Sequence, residues 1–68
     1  MTERRLIEDR TEVMLGMYVE YVIDGCIKRG EIISFLQTSP ELLYVVKWPA
    51  YPELALVRFD DVDVIEYR

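Results

Sequence analysis

From residue 17 onward, apolar and polar positions alternate. Met17, Val19, Tyr21 and Ile23 interleave with Tyr18, Glu20, Val22 and Asp24. A period of two predicts a strand with one apolar face. Asp24-Gly25 predicts a tight turn. CIKRGEIISFL (26–36) reads as a second strand, with Gly30 marking a bulge or a sharp bend. QTSPE (37–41) has loop composition, and LLYVVKW (42–48) is a third strand rich in β-formers. The PAYPE turn (49–53) leads into a fourth strand, LALVRF (54–59). Asp60-Asp61-Val62 suits one helical turn capped by Asp60, and residues 63–67 close with a short fifth strand.

Residues 2–14 (TERRLIEDRTEVM) lack that period. Thr2 could cap a short helix whose weak apolar side is Leu6, Ile7 and Val13. Such a helix is marginal alone. The expected organisation is therefore a helical or irregular appendage over 1–14 and an all-β domain of five strands over 15–68.

Composition narrows the function classes. A chain of 68 residues holds one small domain, and 51% apolar residues is enough for a core with some surplus left at the surface. The one cysteine, Cys26, allows no internal disulfide, which favours a reducing, cytoplasmic setting. With no histidine, a zinc site and the commonest general base are both missing. The net charge of −5 repels phosphate, so nucleic acid is disfavoured as a partner. No apolar run approaches the roughly 20 residues that span a bilayer, and MTERRLIEDR has no signal-peptide core. Asp60, Asp61 and Asp63 could face a hard cation, but the calcium-loop pattern of glycine and closing glutamate is absent. No metal, cofactor or catalytic set is expected. Glu53, Asp60, Asp61, Asp63 and Glu66 form an acidic edge, which suits ordinary solubility or a mimic of nucleic acid that blocks an enzyme.

The layout of strands, with GMYVEYVIDGCIKRGEIISF as first hairpin and a one-turn break before the last strand, resembles SH3-like barrels of bacterial and phage proteins. Two groups built on such barrels are resembled more locally. In YVVKWPAYP (44–52), Tyr44, Val46, Lys47, Trp48, Tyr51 and Pro52 match the Y-x-V-K-W-x-x-Y-P signature of chromo-like domains. That resemblance implies a methyl-lysine cage with Trp48 as one wall and either Tyr18 or Tyr21 as another. The family's Trp-Glu-Pro segment and C-terminal helix are replaced here by ELALVRF and a short tail. Gly16 to Val19, Gly30 to Ile32 and the TSPE of residues 38–41 are similar to the plasmid-borne type II dihydrofolate reductases. That resemblance implies a pore built from four copies of a V-Q-I-Y strand. The matching positions here are Leu56, Val57, Arg58 and Phe59, which would lose the pore's hydrogen-bonding groups.

Two readings of Trp48 remain. Tyr44, Val46 and Trp48 share a strand face, so Trp48 and Tyr44 could cap the core, with Tyr51 packed on the hairpin. Their outer edges could also form an aromatic rim with Tyr18 or Phe59, stiffened by Pro49 and Pro52. The expected function is a non-enzymatic interaction module of a phage, plasmid or gene cassette. It would contact a protein partner, or a second copy of itself, through Tyr18, Tyr44, Trp48, Tyr51 and Phe59. The alternatives are a reductase, a methyl-lysine reader and an acidic mimic.

Overall fold

A computed structural model describes residues 3–49 and 52–68. Six strands form one antiparallel sheet: β1 (Arg4–Ile7), β2 (Tyr18–Ile23), β3 (Cys26–Gln37), β4 (Leu42–Lys47), β5 (Leu54–Arg58) and β6 (Asp63–Tyr67). Their order is β1-β6-β2-β3-β4-β5, which leaves β1 and β5 as the two edges. The sheet is therefore open rather than closed on itself. Two 3-10 turns complete the chain, at Arg10–Glu12 and Phe59–Asp61.

The β2–β3 hairpin follows its sequence closely. Asp24 (φ 51°) and Gly25 (φ 77°) both take positive φ, as a two-residue turn matched to strand twist requires, and Ile23 pairs with Cys26. Gly30 is not the irregular position. The register of β3 against β4 shifts between Ile32 and Ser34, so the bulge lies at Ile33. Gly30 instead permits a close approach: a Cβ there would meet Val46 Cγ1 and, at 2.6 Å, Trp48 Cε3.

The N-terminal segment corrects the expectation of a helical appendage. Arg4–Ile7 is a strand paired antiparallel with β6, with Ile7 opposite Val64 and Arg4 opposite Tyr67. Arg4 pairs with Glu20 and Arg5 with Glu66, both far along the chain, while Arg5 also meets nearby Glu12. The strand over Arg4–Ile7 raises the count from five to six. The turn before β6 also starts one residue early. Arg58 stands at its N-cap and makes no side-chain capping bond, and Asp60 accepts from Arg10 instead of capping.

One face of the sheet carries the core. Ile7, Met17, Val19, Ile32, Tyr44, Val46 and Val64 form a single buried cluster, with Val13, Trp48, Val57, Phe59 and Val62 packed around it. Each fully buried aliphatic side chain contributes about 1.5–3 kcal/mol. Ile65, on the other face of β6, is also fully buried and lies opposite Tyr18 in register.

Candidate interaction surface

Of the five aromatic candidates, the four that lie among the described residues do not share one rim. Tyr44 is 1% exposed, a core residue whose ring meets Phe35 edge-on at 5.7 Å. Burial pushes its hydroxyl pKa up. Trp48 is half-buried over Gly30, with its ring edge-on to Tyr21 at 5.3 Å. Phe59 is half-buried at the start of the second 3-10 turn, with the Arg10 guanidinium 5.4 Å above its ring. Tyr18 lies on the opposite face of the sheet and meets Tyr67 edge-on at 5.4 Å. Tyr51 lies outside the described residues. Of the two residues considered as a second cage wall, Tyr21 is the one beside Trp48.

The outward face of β2, β3 and β6 is organised by a residue that period-two reading places in solvent. Glu20 is 5% exposed. Arg4 Nη2 donates to its Oε1 at 2.9 Å, and Arg29 Nε donates to Oε2 at 3.0 Å. The Tyr67 hydroxyl donates to the same Oε2 at 2.5 Å. Desolvation alone would raise the carboxyl pKa. The hydrogen bonds from Arg4 and Tyr67 and the charges of Arg4 and Arg29 outweigh it, so the pKa falls below the usual range. The hydrogen bond to Glu20 raises the Tyr67 pKa in turn. Arg29 also stacks over the Tyr67 ring at 4.9 Å. One carboxylate thus ties β1, β2, β3 and β6 together, and no buried side-chain polar atom among the described residues lacks a partner. A signal for part of it exists in the sequence. The two-residue Asp24-Gly25 turn fixes the hairpin register, which sets Glu20 opposite Arg29 and Tyr18 opposite Glu31.

Beside this hub runs an open groove of about 460 Å³ lined by Tyr18, Arg29, Gly30, Glu31, Lys47 and Pro49. Its walls come from adjacent strands, because Tyr18, Glu31 and Lys47 stand in one cross-strand row. Arg29 is oriented by its Nε bond to Glu20, and its side chain is about half exposed. Lys47 enters no ion pair among the described residues. The groove therefore offers an aromatic wall, a proline rim and two cationic donors, with the Glu31 carboxylate in the row between Tyr18 and Lys47.

The acidic edge is largely matched. Asp60 pairs with Arg10, Asp61 with Arg58, and Glu66 with Arg5 and Arg68. No group of three or more Asp, Glu or Cys side chains gathers as metal ligands would among the described residues. In the segment compared with the reductase pore strand, Leu56 and Arg58 are exposed, Val57 packs on the core and Phe59 begins the 3-10 turn. No helix among the described residues is long and apolar enough to cross a membrane. No family model, curated protein or solved structure matches the chain.

Proposed function

We propose that the chain is a non-enzymatic protein-interaction module that takes a segment of a partner protein in the groove between Tyr18 and Pro49. The connectivity supports an SH3-like barrel as the frame: β2 to β5 form a meander, a 3-10 turn follows, and β6 returns beside β2. The observation that carries the reading is the juxtaposition of Tyr18, Pro49 and the cations Arg29 and Lys47 on one pre-organised wall. Aromatic and arginine side chains supply most interface hot spots. An acidic side chain of the partner segment would meet Arg29 and Lys47, and an aliphatic or proline side chain would lie on Tyr18. A reducing cytoplasm and an origin on a mobile element suit a small module with one exposed thiol.

A displayed library of short peptides tests this reading. Acidic peptides with an adjacent apolar residue should be enriched by the wild-type chain. Lys47→Glu should weaken the selected peptides at least tenfold, and Tyr18→Ala should do so as well. Enrichment of basic peptides, or selected peptides indifferent to both substitutions, would remove the groove as the site. A second reading rests on the Tyr21–Trp48 pair. A methyl-lysine reader would prefer a trimethyl-lysine peptide over its unmodified form and lose that preference in Tyr21→Ala.

A further inference from the structure

The two edges of the sheet differ in chemistry. β1 is short, and its Arg4 and Arg5 are engaged with Glu20, Glu12 and Glu66. Charge and brevity are how natural sheets blunt an edge. β5 is one residue longer and carries a single charge, Arg58, at its end. Its outward side chains Leu54 and Leu56 are each 55% exposed. They continue an apolar surface across the sheet, since Leu56 stands opposite Val45, and Leu43 opposite Leu36. Val45 and Leu43 are half-buried and Leu36 is exposed. An unpaired backbone edge and an apolar face thus coincide on one strand.

We infer that β5 pairs antiparallel with β5 of a second copy about a twofold axis at Leu56, joining two sheets into one. The inference shares Lys47 with the groove reading, but β5 itself contributes no residue to that groove, and the variants that test the pairing leave Lys47 in place. Two arguments select a second copy as the occupant. Centring on Leu56 is the only antiparallel register that pairs all five residues of β5: Leu56 faces itself, Ala55 faces Val57 and Leu54 faces Arg58. The charges complement each other in that register. Arg58 carries two carboxylates, Glu41 at 3.3 Å and Asp61 at 2.8 Å, while Lys47 beside Leu54 has none among the described residues. Pairing Leu54 with Arg58 of the other copy brings the surplus carboxylate toward the unpaired Lys47, twice by symmetry.

Cross-linking tests the register directly. In a Cys26→Ser background, Leu56→Cys places two thiols opposite each other on adjacent strands. Cα atoms there lie about 4.5–5.5 Å apart, within the range a disulfide spans. Leu36→Cys lies on the same apolar face but far from its own copy. Mild oxidation should therefore give a disulfide dimer from Leu56→Cys and not from Leu36→Cys. Sedimentation of the wild-type chain should show a species of about twice 8.1 kDa that Leu56→Lys abolishes with an unchanged circular dichroism spectrum. Wild type that stays at 8.1 kDa up to millimolar concentration would overturn the inference. So would a dimer that Leu56→Lys leaves intact, or equal cross-linking from Leu36→Cys. Dimers joined through native Cys26, with none from Leu56→Cys, would place the contact at the β2–β3 hairpin tip and overturn it too.

Discussion

Glu20 and Arg29 face each other across the β2–β3 hairpin, with Arg29 Nε 3.0 Å from Glu20 Oε2 and the carboxylate almost wholly shielded from water. Arg4 and Tyr67 close the same carboxylate from β1 and β6. Glu20→Gln keeps the shape but removes the charge that three donors share. Hydrogen bonds to charged groups contribute about 1.5–3 kcal/mol, and the half-exposed arginines regain water when released. A loss of roughly 1–3 kcal/mol is expected, read as a lower urea midpoint with unchanged slope. A midpoint equal to wild type would mean that the four strands do not depend on this carboxylate.

The same group sets an acid limit. Its pKa in the folded chain lies below the ordinary carboxylate value because of Arg4, Tyr67 and Arg29. A depressed folded pKa means that the unfolded chain binds the proton first as pH falls. The stabilisation is complete above the unfolded carboxylate pKa of about 4.3 and disappears as pH drops through the folded value. Asp9 is shifted the same way by its bonds from Thr11. Urea midpoints measured from pH 7 down to pH 2 should fall more steeply for wild type than for Glu20→Gln. Parallel curves would show that other carboxylates govern acid unfolding.

Gly30 and Trp48 should behave as a pair. Gly30→Ala inserts a methyl where Val46 Cγ1 and the Trp48 ring already sit. Overpacking of this kind costs about 1–3 kcal/mol. Trp48→Ala removes a half-buried aromatic lid and should cost roughly 2–4 kcal/mol. Because the alanine at 30 would occupy space the tryptophan vacates, the double variant should be less destabilised than the sum of the two. A melting temperature for Trp48→Ala close to wild type would remove Trp48 from the core. Additivity in the double variant would show that the two sites do not touch.

How much of this was legible depended on the range of the interaction. The β2–β3 hairpin was readable because Asp24-Gly25 supplies both positive φ angles and the alternation from Met17 to Ile23 supplies the face. Strands β4, β5 and β6 and the one-turn break before β6 were readable for similar local reasons. What escaped depends on partners distant in sequence. RRLI is a strand only because Asp63–Tyr67 lies beside it. Glu20 is buried only because Arg4 and Tyr67 arrive from opposite ends of the chain. The aromatic rim failed as one surface on a local ground. Tyr44 and Trp48 share the parity that faces the core, whereas Tyr18 pairs with Glu31 on the other face. Parity was available in the sequence, but which aromatics the ends of the sheet leave uncovered was not.

The N-terminal strand gives the sharpest contrast between local and tertiary reading. With residues 1–14 read as an appendage, deletion of residues 1–12 is expected to leave the domain folded. In the structure, Ile7 is 3% exposed within the core cluster, and β1 covers β6 along four paired residues. Removing residues 1–8 exposes Val64 and Ile65 and takes Arg4 from Glu20. Ile7 alone accounts for about 1.5–3 kcal/mol of burial. A domain of this size holds only about 3–5 kcal/mol in total. The truncated chain should therefore be largely unfolded at 37 °C, with broad circular dichroism melting and poor amide dispersion. Ile7→Ala, which keeps the backbone pairing, should lower stability by about 2–4 kcal/mol without abolishing the fold. A truncated chain that melts cooperatively near the wild-type temperature would return residues 1–8 to the status of an appendage and make β6 the true edge of the sheet.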